Sequence, residues 1–131
     1  MECIFCKIAK GEAPADKVLE DKEFLAFLEI RPLNPGHILV IPKKHYRWVW
    51  DVPNACEYFE FTRKVAKVLQ KSMKTNFIAS GIAGNDVLHA HIHLVPRFKD
   101  DEHGGWLKIE NVKKIPEEEM KSIAKKIRES F

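Results

Sequence analysis

The 131 residues suit one ordinary domain, and a 45% hydrophobic content supplies a packed core and excludes a disordered chain. Lys and Arg number 22 against 19 Asp and Glu, so the net charge is +3; that argues against stable nucleic-acid binding without repelling a phosphate ligand. Three cysteines make a poor disulfide framework. No apolar run approaches the ~18 residues that span a bilayer, and the first six residues lack a signal-peptide layout, so the expectation is a cytoplasmic protein with no membrane partner.

In chain order, residues 3–10 read as a short turn or helix, closed by Gly11 and broken by Pro14. Residues 17–20 and 24–28 read as strands about the turn Asp21-Lys22. Two prolines and a glycine make residues 31–36 a loop. Residues 37–41 form a β-branched apolar run that Pro42 stops, a buried strand. Asp51 is placed to cap a helix with Pro53 in its first turn, carrying Phe59, Val65, Ala66, Leu69 and Met73 on one face to about residue 74. Residues 77–81 are a candidate strand, 81–87 a loop around Gly84-Asn85-Asp86, and 88–96 an alternating strand. From residue 117, with Pro116 at the start, Met120, Ile123, Ala124, Ile127 and Phe131 share a helical stripe. With no repeat or linker, residues 1–131 read as a single α+β domain built on an antiparallel sheet.

Within the last of these strands lies His89-Ala90-His91-Ile92-His93. Side chains alternate along a strand, so the three histidines share one face, with neighbours roughly 6.5–7 Å apart, and Ala90, Ile92 and Leu94 take the other. A solvated strand face would carry Lys, Glu or Thr more naturally. Two chemistries remain: histidines two apart can chelate a catalytic metal with an open position, or a neutral imidazole can attack phosphorus as a nucleophile. Cys3 and Cys6 have the two-residue gap of a zinc knuckle, with no strand ahead of them as a redox pair would have. They are half a tetrahedral site. The alternative is a pair of buried free thiols.

The chain resembles the histidine triad (HIT) family of nucleotide hydrolases and transferases. The likeness rests on Cys3-Ile4-Phe5-Cys6-Lys7-Ile8, on the run from Asn34-Pro35-Gly36-His37 to Pro42-Lys43-Lys44-His45, and on the triad with Leu94-Val95-Pro96-Arg97. These pieces stand in matching order over about residues 3–97, and the zinc-containing branch related to adenosine phosphoramidases is the nearest in pattern. The resemblance implies a five-stranded antiparallel sheet with two main helices, pairing as a homodimer into a ten-stranded sheet. The segment after Phe98 carries no motif, although a helix is expected from about 116 to 131.

The resemblance also implies roles. His91 would be the nucleophile toward the α-phosphorus of a purine nucleotide, His93 a hydrogen-bond donor to its oxygens, and His37 a supporting histidine. Cys3, Cys6, His45 and His89 would close a structural zinc site. Ile4, Phe5, Leu28 and Ile30 would hold the base, unless they are plain core packing. Glu29 would take the ribose hydroxyls, where Asp is usual. Ser80, Asn85 and Asp86 would stand on the phosphate side. The reaction implied is cleavage of a phosphoramidate or dinucleoside polyphosphate through a nucleotidyl-histidine. The alternatives are a metal-dependent hydrolase that ligates through His89, His91 and His93, and a non-catalytic nucleotide-binding module.

Overall fold

The structure is a computed structural model and describes residues 2–131. Five strands form one antiparallel sheet: β1 (Lys17–Glu20), β2 (Phe24–Leu28), β3 (Ile38–Pro42), β4 (Ile78–Gly81) and β5 (Ile92–Pro96), in the order β1-β2-β3-β5-β4. Three α-helices accompany it: α1 (Ile4–Ala9), α2 (Ala55–Ser72) and α3 (Glu117–Arg128).

Register sorts the side chains onto two faces. The row Leu28, Ile38, Leu94 and the row Ala26, Val40, Ile92 point to the side that α2 and α3 cover. Tyr58 of α2 stacks on Phe24 with ring centroids 5.2 Å apart, and its hydroxyl donates to the Val40 carbonyl at 2.7 Å. The row Phe27, Leu39, His93 points the other way, toward a smaller cluster of Phe5, Ile8, Leu25 and Ile41 under α1. Ala90 packs in the helix-side cluster, so the histidines alternate with it onto the α1 side. α3 has three glutamates in its first turn and Lys125, Lys126 and Arg128 in its last, the arrangement that complements a helix dipole.

Four expectations are corrected. Asp51 does not cap α2. It closes the 3₁₀ turn Val49–Asp51, accepting from the Trp48 N–H at 3.2 Å, and α2 starts at Ala55. Pro53 disfavours helical backbone at Val52, which is extended (φ −72°, ψ 116°), and so separates the two. Phe59 lies on the exposed side of α2, whose buried face is Tyr58, Phe61, Thr62, Val65, Leu69 and Ser72. Phe131 lies beyond the end of α3 and is exposed. Finally, β5 begins at Ile92 and not at residue 88. The His89 carbonyl, which a ladder would need, accepts instead from the His91 ring at 2.7 Å. Ala90 N–H turns to the Tyr46 carbonyl at 2.7 Å.

Candidate active site and metal cluster

Backbone groups of fixed polarity orient the His37, His89 and His91 rings, and His93 is oriented through His37, which assigns the tautomers. The Leu33 N–H donates to His37 Nδ1 at 3.0 Å, so the neutral His37 ring carries its proton on Nε2. That proton points to His93 Nδ1 at 2.9 Å. Neutral His93 must then carry its own proton on Nε2, as a donor. His91 Nδ1 donates to the His89 carbonyl at 2.7 Å, which leaves a bare lone pair on His91 Nε2. The His91 and His93 rings lie 5.0 Å apart, and Phe5 sets an edge against His91 at 5.2 Å. A nucleophilic nitrogen and a hydrogen-bond donor thus sit side by side.

Burial keeps His37 and His93 neutral. It drives His37 down to about 3, helped by the charges of His93, His103 and His91, and His93 down to about 4. His37 and His93, with Glu29, line a cleft of about 300 Å³ whose other walls include Arg31, Leu33, Asn85, Asp86, Ile109 and Val112. Glu29 is partly buried, and its Oε1 accepts from the Arg31 N–H at 3.2 Å. Desolvation raises its pKa and the charge of Asp86 adds to that rise, while the Arg31 N–H offsets part of it. Donor atoms of Glu29, His37 and His93 lie within 4.8 Å of one another. The hydrogen bonds above leave His37 no free lone pair, so this group is a hydrogen-bonded chain and a poor metal site.

The second cluster has the opposite character. One donor atom from each of Cys3, Cys6, His45 and His89 lies within 4.8 Å of all the others. Cys3 Sγ is 3.4 Å from His89 Nδ1, and Cys6 Sγ is 3.3 Å from His45 Nδ1 and 3.5 Å from His89 Nδ1. Tetrahedral zinc with ordinary Zn–S and Zn–N bonds separates S from N by about 3.5 Å, so the four residues fit the ion. His89 Nε2 donates to the Pro42 carbonyl at 2.8 Å, which frees Nδ1 and orients the ring as metal-bound histidines are usually oriented. Burial lowers His89 to about 4, so it is neutral as a ligand must be. Burial and the neighbouring Cys3 raise the Cys6 thiol to about 11, so a metal there must displace a proton. The Cys3 sulfur also accepts from the Cys6 N–H at 3.4 Å and caps α1. His89 belongs to this cluster, His93 lines the cleft and His91 is in neither donor group, so the three triad rings do not converge on one ion.

The remaining expected residues divide. Phe5 is buried beside His91 and Phe27. Ile4 is 49% exposed and Ile30 84% exposed, each free to meet a ligand. Asn85 lines the cleft, and Asp86 Oδ1 lies 3.7 Å from His91 Nε2. Leu28 and Ser80 do not join them. Both stand in the Ile38–Leu94 row, which points to the α2 and α3 side, so strand alternation turns them away from His93. Phe27 is the β2 residue in the row of Leu39 and His93, on the side where Phe5 and Ile8 of α1 pack.

A network behind the cleft had no sequence motif to announce it. Arg97 donates to Asp101 through Nε at 2.7 Å and Nη2 at 3.2 Å, both side chains nearly inaccessible. Asn34 Nδ2 donates to the same carboxylate at 2.9 Å. His103 accepts from the Lys108 N–H on Nδ1 at 3.0 Å and donates from Nε2 to the Leu33 carbonyl at 2.7 Å. Leu33 is the residue whose N–H orients His37, so the network holds the peptide next to the one that orients the histidine chain.

The sequence profile of the HIT domain family matches residues 10–100. The chain belongs to the HIT domain family. A HIT-like protein of Methanocaldococcus jannaschii is 40% identical over 124 residues, covering 90% of this chain and 95% of that one. The adenosine 5′-monophosphoramidase of Saccharomyces cerevisiae is 41% identical over 112 residues, 79% of this chain and 69% of the yeast protein. Among solved structures, a zinc-bound HIT family protein of Mycobacterium smegmatis superposes with a TM-score of 0.79 at 28% identity, covering 99% of this chain and 93% of that one. The HIT fold accounts for the five-stranded sheet. No helix of the described residues is long and apolar enough to cross a membrane.

Proposed function

We propose that this HIT protein is a nucleotide hydrolase or transferase that cleaves a nucleoside 5′-monophosphoryl bond through a covalent nucleotidyl-His91. The observation that carries the reading is the fixed pair of tautomers: a lone pair on His91 Nε2 beside a proton on His93 Nε2. The His91 lone pair attacks the α-phosphorus. The leaving group departs with the electron pair of its bond to phosphorus, while His93 donates to a non-bridging oxygen on which charge builds. Water then attacks the phosphorus and releases its proton. The phosphorus–nitrogen bond breaks, its pair returns to His91, and the nucleoside monophosphate leaves. The amidase name of the yeast relative supports a purine nucleotide substrate of the phosphoramidate type, and a Legionella pneumophila neighbour is titled a HIT family hydrolase. Glu29, at the cleft edge, is the acceptor for the ribose hydroxyls. The base lies by Phe5 with Ile4 and Ile30. Asn85 stands on the phosphate side.

Zinc is the ion this reading assigns to Cys3, Cys6, His45 and His89, one per chain. Four protein ligands close its coordination, so it supplies folding energy and joins α1 to the triad segment. A homodimer is the assembly proposed, supported by β4, which is an edge strand of the sheet among the described residues. Sedimentation at micromolar concentration that shows only the 15.2 kDa chain would remove the dimer. The test of the chemistry is mass spectrometry of protein mixed with adenosine 5′-phosphoramidate and quenched at alkaline pH. A nucleotidyl adduct on His91, absent in His91→Ala, is expected. An active enzyme with no adduct, or an adduct elsewhere, overturns the mechanism. Inactivity with every activated nucleotide returns the chain to a binding module.

A further inference from the structure

Asp86 is an unusual neighbour for a group that attacks phosphate. Its Oδ1 lies 3.7 Å from His91 Nε2, and its side chain is 63% exposed, so it borders the reacting centre from the solvent side. It is held there. Oδ1 accepts from the Val87 N–H at 2.9 Å. Two residues earlier, Gly84 at φ +78° lies flat on Trp48, so close that a Cβ would come within 2.6 Å of the indole ring. Arg47 stacks on Trp48 at 3.8 Å. The loop backbone is thus packed against Trp48 at Gly84, and the carboxylate is turned inward by the Val87 N–H.

The charge around Asp86 is not cancelled. On the triad cleft, Glu29 and Asp86 face one cation, Arg31. Asp86 also borders a second cleft of about 410 Å³, where Lys7 is paired with Glu2 at 3.1 Å. The cleft beside His93 thus carries two carboxylates against one guanidinium.

We propose that Asp86 sets the leaving-group preference of this site, favouring a nucleotide joined to a neutral or cationic amine over one joined to a further phosphate. This rests on the nucleotidyl-transfer reading above. When an amine leaves, the P–N bond breaks with its electron pair on nitrogen, which takes a proton from solvent. Positive character on that nitrogen, and its N–H, are what a carboxylate stabilises. When a phosphate leaves, the P–O pair stays on oxygen and negative charge grows beside Asp86. At roughly 6 Å, and a dielectric between the surface and bulk-water values, each unit charge amounts to about tenfold in rate.

The experiment uses the full chain and three probes: an adenosine 5′-phosphoramidate of an alkylamine ending in ammonium, its neutral alkyl counterpart, and diadenosine triphosphate. The neutral probe is the internal reference, so any general loss of activity cancels. Wild type should rank cationic, neutral, anionic in kcat/KM. Asp86→Asn should raise the anionic-to-neutral ratio about tenfold and lower the cationic-to-neutral ratio, with Asp86→Ser as the second variant. In wild type, raising ionic strength should compress the same ratios, which needs no variant at all. Unchanged ratios in the variants and with salt, alongside neutral-probe turnover, overturn the role of Asp86 alone. No turnover of any probe and no His91 adduct overturn the underlying reading and this one with it.

Discussion

Asp101→Asn should cost this protein about 3–5 kcal/mol of stability. The carboxylate accepts from Asn34, twice from Arg97, and from the N–H groups of Phe98 and His103. Oδ2 takes three of these bonds and Oδ1 two, so either orientation of an amide sets an NH₂ against at least two buried donors. Unsatisfied buried groups cost roughly 1–3 kcal/mol each, and stranding one partner of a buried ion pair about 3–5 kcal/mol. That is a large share of the ~5–15 kcal/mol that holds a domain folded, and lowers Tm by about 10–20 °C. Hydrogen bonding from Arg97 above all holds the Asp101 carboxyl well below the ordinary carboxylate range. A depressed carboxyl contributes stability above its unfolded pKa and loses it as pH falls through the folded value. Wild type should therefore lose this increment below about pH 4, and the variant should lack that acid limb. Urea titration and calorimetry from neutral to acid pH measure both effects. A loss under about 1 kcal/mol at neutral pH, or identical acid limbs, would refute the reasoning.

Cys6→Ala should lower the Tm of zinc-replete protein, and a chelator should close most of the gap by bringing wild type down; equal gaps with and without chelator would deny a zinc contribution. Glu29→Gln should weaken binding of adenosine monophosphate more than that of its 2′,3′-dideoxy counterpart by calorimetric titration, whereas equal losses would take Glu29 off the ribose. Burial lowers His37 to about 3, so its neutral form contributes stability above the ordinary value of 6.5 that drains as pH falls between those limits, about 2 kcal/mol by pH ~5. His93 acts in the same sense. His37→Gln should flatten the slope of urea stability against pH in that window, and an unchanged slope would mean that His37 is not buried and neutral.

Local rules carried the sequence far where one periodicity acts alone. Alternation was enough to set Ala90, Ile92 and Leu94 against the core and the three histidines opposite. It failed where two strands must be compared. Whether Phe27 or Leu28 lies beneath the triad depends on the β2–β3–β5 register, which no single strand contains. Phe59 and Tyr58 are one step apart on a helix, and a polar Thr62 on the buried face blurred the phase. The alternation of residues 88–96 extends past the end of β5 because a histidine side chain capturing a carbonyl two residues back leaves no hydrophobic signature. The Asn34–Arg97–Asp101–His103 network joins loops far apart in sequence, with no period to reveal it. His45 and His89 fit beside Cys3 and Cys6, but that set came from family pattern and not from spacing.

Covalent transfer of the nucleotidyl group to His91 would leave its mark in the stereochemistry at phosphorus. A nucleotide substrate made chiral at the α-phosphorus with sulfur is turned over in isotopically labelled water, and the configuration of the product phosphorothioate is read by phosphorus NMR. Two successive in-line displacements, first by His91 and then by water, predict retention. Inversion would mean that water attacks the substrate directly, and would contradict the account.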